Sequence, residues 1–151
     1  MPQSLAKILV HVIFSTKDRY AFLSDNDIRG EMQSYLAGAF KQLGSPTLIV
    51  NGVADHMHVL CSLGRNDSIS GVIKEAKRNS STWIKTKGGI LEKFHWQNGY
   101  GAFSLSQSLV SQVRTYIANQ AEHHRKVTFQ DELREFLAKY EIEYDERYVW
   151  D

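Results

Sequence analysis

The chain has 151 residues, 42% apolar and 23% charged, with a formal net charge of +1 and one cysteine. That length suits one domain burying about 70% of the surface its unfolded chain exposes. The near-neutral balance excludes a generic polycation, and the lone Cys61 excludes an internal disulfide framework. No apolar run approaches the ~20 residues of a membrane span, and no basic leader precedes an apolar core, so a cytoplasmic protein is expected.

Ile8 to Ser15 carries Ile8, Val10, Val12 and Phe14 on one face and Leu9, His11 and Ile13 on the other. A strand apolar on both faces belongs in the middle of a sheet. The charged run Lys17-Asp18-Arg19 leaves it. Ser24 is the predicted N-cap of a helix reaching Leu43. Ile28, Met32, Leu36, Ala39 and Phe40 fall at helical spacing, and Gly44 sits at the C-terminal cap. Leu48–Val53 and the stretch from Asp55 to Leu60 read as the two arms of a hairpin turning at Ala54-Asp55.

His56 and His58 lie two apart on the second arm and so point the same way, separated by roughly 6.6 Å of strand. Imidazoles so placed can share one divalent cation if a third ligand arrives from elsewhere. A lone His-x-His pair is more often two ordinary half-buried histidines, so the pattern needs a partner. Met57, Val59 and Cys61 face the opposite side, which suits a core.

Ser68 starts a second long helix with the stripe Ile69, Val72, Ile73, Ala76, Trp83 and Ile84. Lys74, Lys77, Arg78, Ser81 and Lys85 form another stripe, suited to phosphates or simply a solvated face. Gly88-Gly89 ends the helix. Phe94 to Gly101 is an aromatic, glycine-rich loop, packed on the sheet or open for base stacking, and leads into a short strand near Tyr100–Leu105. A third helix from Ser106 to His124 carries Leu109, Val110, Val113 and Ile117 on its apolar face. Tyr116, Gln120 and His123 lie along one edge. Thr128-Phe129-Gln130-Asp131 resembles a capping box with Asp in place of Glu. It opens a fourth helix carrying Leu133, Phe136, Leu137 and Tyr140. Residues 74–93 carry six basic against two acidic side chains, and eight acidic face three basic from 131 onward. One face is therefore expected to meet an anion, and the acidic, aromatic tail from Glu141 reads as a docking arm.

The order β-α-β-β-α-β followed by helices predicts an α+β fold. It is a ferredoxin-like, split β-α-β antiparallel sheet with additional C-terminal helices, the first two helices covering one face and His56 and His58 on the open other face, a single domain over 1–151 with its core at about 6–124.

In order and spacing, His56-Met57-His58 on a central strand and Tyr116-Ile117-Ala118-Asn119-Gln120 on a later helix resemble one family. It is the one-tyrosine HUH single-strand transposases of insertion sequences, including their repeat-associated relatives. Val12–Arg19, Asp55 to Leu60, Ala102 to Ser106 and Gln120 to His124 carry the same likeness, which spans residue 6 to about 145. The resemblance implies the HUH endonuclease fold and a metal-dependent enzyme that cleaves and rejoins single-stranded DNA through a 5′-phosphotyrosine intermediate. It implies Tyr116 as the catalytic nucleophile and His56, His58 and Gln120 as ligands of Mg²⁺ or Mn²⁺. Its implied partners are hairpin-forming single-stranded DNA and a second copy of the chain. Charge adds Lys17, Arg19, Lys74, Lys77, Arg78 and Lys85 as candidate DNA-backbone contacts, and His11 and His123 are candidates to orient a ligand. No glycine-rich phosphate loop is present, and cleavage and rejoining conserve bond energy, so no nucleotide cofactor is expected. Two other readings stay open: a non-catalytic nucleic-acid-binding module on the same sheet, and a metal-dependent phosphoesterase using water in place of tyrosine.

Overall fold

The structure is a computed structural model and describes residues 2–151. Four strands form one sheet: β1 (Leu9–Ser15), β2 (Thr47–Gly52), β3 (His56–Ser62) and β4 (Gly101–Leu105), in the order β2-β3-β1-β4. Every pairing is antiparallel. β1 is central, as its two apolar faces require, and that order is the split β-α-β arrangement expected from the sequence. The β2–β3 turn is tight enough to need a glycine: a Cβ on Gly52 would meet the His56 carbonyl oxygen at 2.3 Å.

On one face lie α1 (Asn26–Gln42) and α2 (Ile69–Lys85). Cross-strand pairs Phe14–Met57, Val12–Val59 and Val10–Cys61 bury that face against Met32, Leu36, Phe40, Val72, Ile73 and Ile84. Each large apolar side chain buried this way contributes roughly 1.5–3 kcal/mol. The cap of α1 is Asp25, not Ser24: its carboxylate accepts from the backbone N–H of Asp27 and Ile28, and its charge also suits the helix N-terminus. Ser68 caps α2 as expected. The loop after α2 resolves in favour of packing, with Phe94 and Trp96 buried and the Trp96 indole donating to Ser80.

The other face is not open. It is covered by α3 (Val110–Ala118), α4 (Gln120–His123) and α5 (Phe129–Lys139). The predicted single third helix is broken at Asn119. The Asn51 side chain of β2 donates to the carbonyls of Ile117 and Ala118, satisfying the end of α3 and letting the chain turn. Thr128 caps α5 by accepting from Asp131 N–H. The tail docks on its own chain, with the Trp150 carbonyl taking a bond from Arg19 and the Asp151 carbonyl from the Asn98 and Gly99 N–H groups. Among the described residues no helix is long and apolar enough to cross a membrane.

Candidate metal and tyrosine site

The strand alternation that aims Met57 and Val59 at α1 and α2 aims His56, His58 and, from β1, His11 at α3–α5. All three histidines are buried. Asp55 Oδ1 accepts from His56 Nδ1 at 2.7 Å, and His11 Nε2 lies 2.8 Å from His58 Nδ1. The outer nitrogens of His56 and His58 are therefore occupied, which fixes each ring and leaves its Nε2 facing inward.

What they face is Glu132 of α5, 1% exposed. Its Oε1 lies 2.9 Å from His58 Nε2, 3.4 Å from His56 Nε2 and 3.1 Å from His124 Nε2. Its Oε2 accepts the hydroxyl of Tyr116 and lies 3.3 Å from His123 Nε2 and 3.4 Å from Gln120 Nε2. One carboxylate thus spans the histidine cluster and the tyrosine. Burial opposes its charge, but hydrogen bonds from His124, His56 and His58 outweigh burial and hold the carboxyl far below the usual carboxylate range.

The neighbours respond in opposite directions. Burial, against the pull of Glu132, lowers His58 to about 4. Burial together with the charge of His58 lowers His11 to about 3. His56 is also buried, yet Asp55 and Glu132 more than offset this and raise its pKa. Burial, then the bond to Glu132, raises Tyr116, so its hydroxyl keeps its proton at neutral pH.

Of the residues singled out in the sequence, His56, His58, Tyr116 and Gln120 meet in this one place, within a single chain. The Tyr116 and His58 ring centroids are 5.8 Å apart. Gln120 is buried, and its Oε1 is a buried side-chain oxygen with no hydrogen-bond partner. An orphaned amide oxygen beside converging imidazoles and a carboxylate is a donor set that fits a divalent cation. Tyr116 is half-buried between two clefts, one of about 340 Å³ floored by His11 and Phe136, the other of about 530 Å³ beside Asn119 and His123.

The basic residues gather elsewhere. Lys74, Lys77 and Arg78 line a cleft of about 280 Å³ on α2, across the sheet from the histidines. Lys77 is turned inward: it donates to the Gln97 and Gly99 carbonyls, and burial lowers its pKa to about 8. Arg78 pairs with Glu75 and Lys85 donates to Ser81. Lys17 is exposed beyond β1, and Arg19 holds the tail.

Sequence reasoning missed His124 and Glu132. A signal for the second existed. Phe129, Leu133, Phe136, Leu137 and Tyr140 form the apolar stripe of α5, and Glu132 falls on it, three residues after Phe129 and four before Phe136. A carboxylate on a core-facing stripe is out of place unless something there needs it.

Solved structures with this fold include two transposases. One is a Deinococcus radiodurans protein provisionally described as a transposase, with TM-score 0.62 and 22% identity, covering 80% of this chain and 95% of that one. The other is a REP-associated tyrosine transposase bound to a REP hairpin, with TM-score 0.60 and 15% identity, covering 84% of this chain and 74% of that one. No curated protein matches the chain. The sequence profile of the IS200-like transposases matches residues 4–120, which hold both strand histidines, the tyrosine and the glutamine. The chain belongs to the IS200-like transposase family.

Proposed function

We propose that the protein cleaves and rejoins single-stranded DNA through a covalent bond to Tyr116. One observation carries this reading: the Tyr116 hydroxyl and the inward nitrogens of His56 and His58 share one carboxylate, Glu132. A phenol buried only for packing has no need of a charged partner that also serves two histidines. The same placement favours tyrosine over a phosphoesterase's metal-bound water.

In this reading His56 and His58, with Gln120 beside them, hold Mn²⁺ or Mg²⁺. Bound there, such an ion would supply the positive charge that offsets the charge of the scissile phosphate. The chain's own groups do the rest. The bond to Glu132 points the hydroxyl. His123 Nε2, 3.4 Å from the Tyr116 oxygen, is the ring nitrogen placed to take the proton as that oxygen attacks. The Tyr116 oxygen forms a bond to phosphorus, the bond from phosphorus to the 3′-oxygen breaks, and the proton passes to that leaving oxygen. Attack by a 3′-hydroxyl on the phosphotyrosine reverses these steps and reseals a strand.

The clefts on either side of Tyr116 are where the strand runs. Lys74 and Arg78, across the sheet, are placed for a more distant part of the substrate. A hairpin like the one bound by the REP-associated neighbour is the natural candidate, with Lys17, Arg19 and Lys85 as further backbone contacts. A homodimer remains part of the proposal, with each site built from one chain. The test uses 3′-end-labelled single-stranded DNA with Mn²⁺, resolved on a denaturing gel. Label stays with the wild-type protein and is lost in Tyr116→Phe. Cleavage without retained label returns the function to a water-using phosphoesterase, and neither cleavage nor label returns it to a binding module.

A further inference from the structure

We infer that His124 and Glu132 complete the metal centre with His56 and His58, making a three-imidazole, one-carboxylate site for a first-row transition ion. This rests on the metal-dependent reading above and assigns its ligands. His56 and His58 come from the sheet. His124 and Glu132 come from the chain beyond Asn119, which the family profile hardly enters.

His124 Nδ1 lies 2.6 Å from the Val127 carbonyl oxygen. A carbonyl only accepts, so this nitrogen carries hydrogen. His56 Nδ1 is held the same way by the Asp55 carboxylate. In the neutral form that binds a metal, both rings turn a lone pair at Nε2 inward, and these two nitrogens lie 2.9 Å apart. Two acceptors at that distance repel unless a positive charge lies between them. Glu132 Oε1 adds a third electron-rich atom 3.1–3.4 Å from both. His58 Nε2 is the fourth, its outer nitrogen backed by His11, which can donate or accept as needed. One donor atom from each of His56, His58, His124 and Glu132 lies within 4.8 Å of all the others. Around an ion bound at about 2.0–2.1 Å, tetrahedral donors stand about 3.3 Å apart. Four of the six donor pairs, at 2.9–3.4 Å, are within a few tenths of an ångström of that spacing.

The second observation is what backs the donors. The outer nitrogens of His56, His58 and His124 each have a partner, the arrangement that fixes tautomer and orientation in metal-binding histidines. His56 and His58 are fully buried, Glu132 is 1% exposed and the His124 side chain 8%. Three imidazoles and one carboxylate suit Mn²⁺ or Zn²⁺. Mg²⁺ prefers oxygen donors and keeps its waters, so it is disfavoured in a dry, nitrogen-rich site. Gln120, with its amide nitrogen 3.4 Å from Glu132 Oε2, then positions the carboxylate rather than acting as a main ligand.

The test is metal binding by the DNA-free protein, measured by calorimetry and by the metal-induced rise in Tm. Mn²⁺ binds wild type at least tenfold more tightly than Mg²⁺. His124→Ala and Glu132→Gln each weaken Mn²⁺ by about 100-fold, as His56→Ala does, while Gln120→Ala weakens it by about tenfold. Far-UV circular dichroism in EDTA checks that each variant is folded. Co²⁺ added to wild type gives a second readout independent of any variant: the strong visible bands of four-coordinate tetrahedral binding are expected, and the weak bands of six-coordinate binding would overturn the four-donor set. Wild-type affinity in His124→Ala and Glu132→Gln beside loss in His56→Ala overturns this inference alone. Full binding in His56→Ala overturns the role of the strand histidines beneath it. No binding of any ion means that a shared proton satisfies the facing lone pairs, and overturns both.

Discussion

The two faces of one sheet are built on opposite rules. Toward α1 and α2, β1 and β3 present Val10, Val12, Phe14, Met57, Val59 and Cys61, which join a single apolar cluster. Toward α3–α5 the same strands present His11, His56 and His58. Here the apolar contacts split into two smaller groups, one around Ile13, Phe129 and Leu133, the other around Leu9, Leu60 and Ile117. Between them sits the Glu132 cluster. Buried polar networks stabilise less than apolar packing of the same volume, so a face that gives up its centre to one is arranged for something other than stability. The first face holds the fold together, and the second holds the site proposed for the chemistry.

The largest effect expected from this contrast is on stability alone. Phe14→Ala removes a fully buried ring from the apolar face and lowers unfolding free energy by about 3–5 kcal/mol. Urea titration measures that loss, and Mn²⁺ affinity in the folded fraction stays at the wild-type value. A Phe14→Ala protein that folds but binds no metal would mean that the two faces are not separable. The converse change is His123→Ala, which leaves stability nearly unchanged but slows adduct formation by about 100-fold through loss of the proton acceptor. Single-turnover kinetics against pH measure it. An unchanged rate assigns the proton to another route.

Acid separates the faces next. His58 and His11 have folded values near 4 and 3, below their ordinary 6.5. As pH falls from 6.5 toward 4, the unfolded chain takes up protons that the folded chain refuses, so stability falls. Glu132, held below its ordinary 4.5, adds the same sign below that pH. His56, raised, works the other way, contributing stability below 6.5 that is lost as pH rises through its folded value. Two lowered histidines outweigh one raised, so the metal-free protein is less stable at pH 4.5 than at pH 7. Urea unfolding in EDTA at the two pH values measures it. The apolar face has Cys61, pushed by burial to about 11, and Lys77 over the Phe14 ring, lowered to about 8; both lie above this pH range, so Phe14→Ala shifts stability equally at both.

The smallest effect falls on the basic cleft of α2. Lys74→Ala with Arg78→Ala weakens single-stranded DNA binding by about tenfold and lowers the slope of log affinity against log salt by about 1.4. Adduct formation at saturating DNA is unchanged. A fall in that saturating rate would place these cations at the scissile phosphate instead.

Most of the fold was readable from local pattern. Alternation marked β1, the Ser68 cap and its stripe marked α2, and His56-Met57-His58 sat on the strand assigned to them. What escaped was set by contacts distant in sequence. The break at Asn119 depends on Asn51, 68 positions earlier, taking the last carbonyls of α3. The histidine face was expected to be open because nothing in the tail announced that α5 would close it. Glu132 lies beside Asp131 in the first turn of that helix, where acidic residues are favoured anyway, and its burial is visible only once α5 is docked. His124 looks in sequence like the second half of a surface His-His pair.

The account stands on Tyr116 as the atom that takes the DNA. The direct measurement is mass mapping of peptides from the adduct trapped with single-stranded DNA and Mn²⁺. Of the seven tyrosines in the chain, a nucleotide remnant on Tyr116 alone is the predicted result. A remnant on any other residue, such as Tyr140 or Tyr148, or an intact Tyr116 in protein that has cut its DNA, would contradict the account.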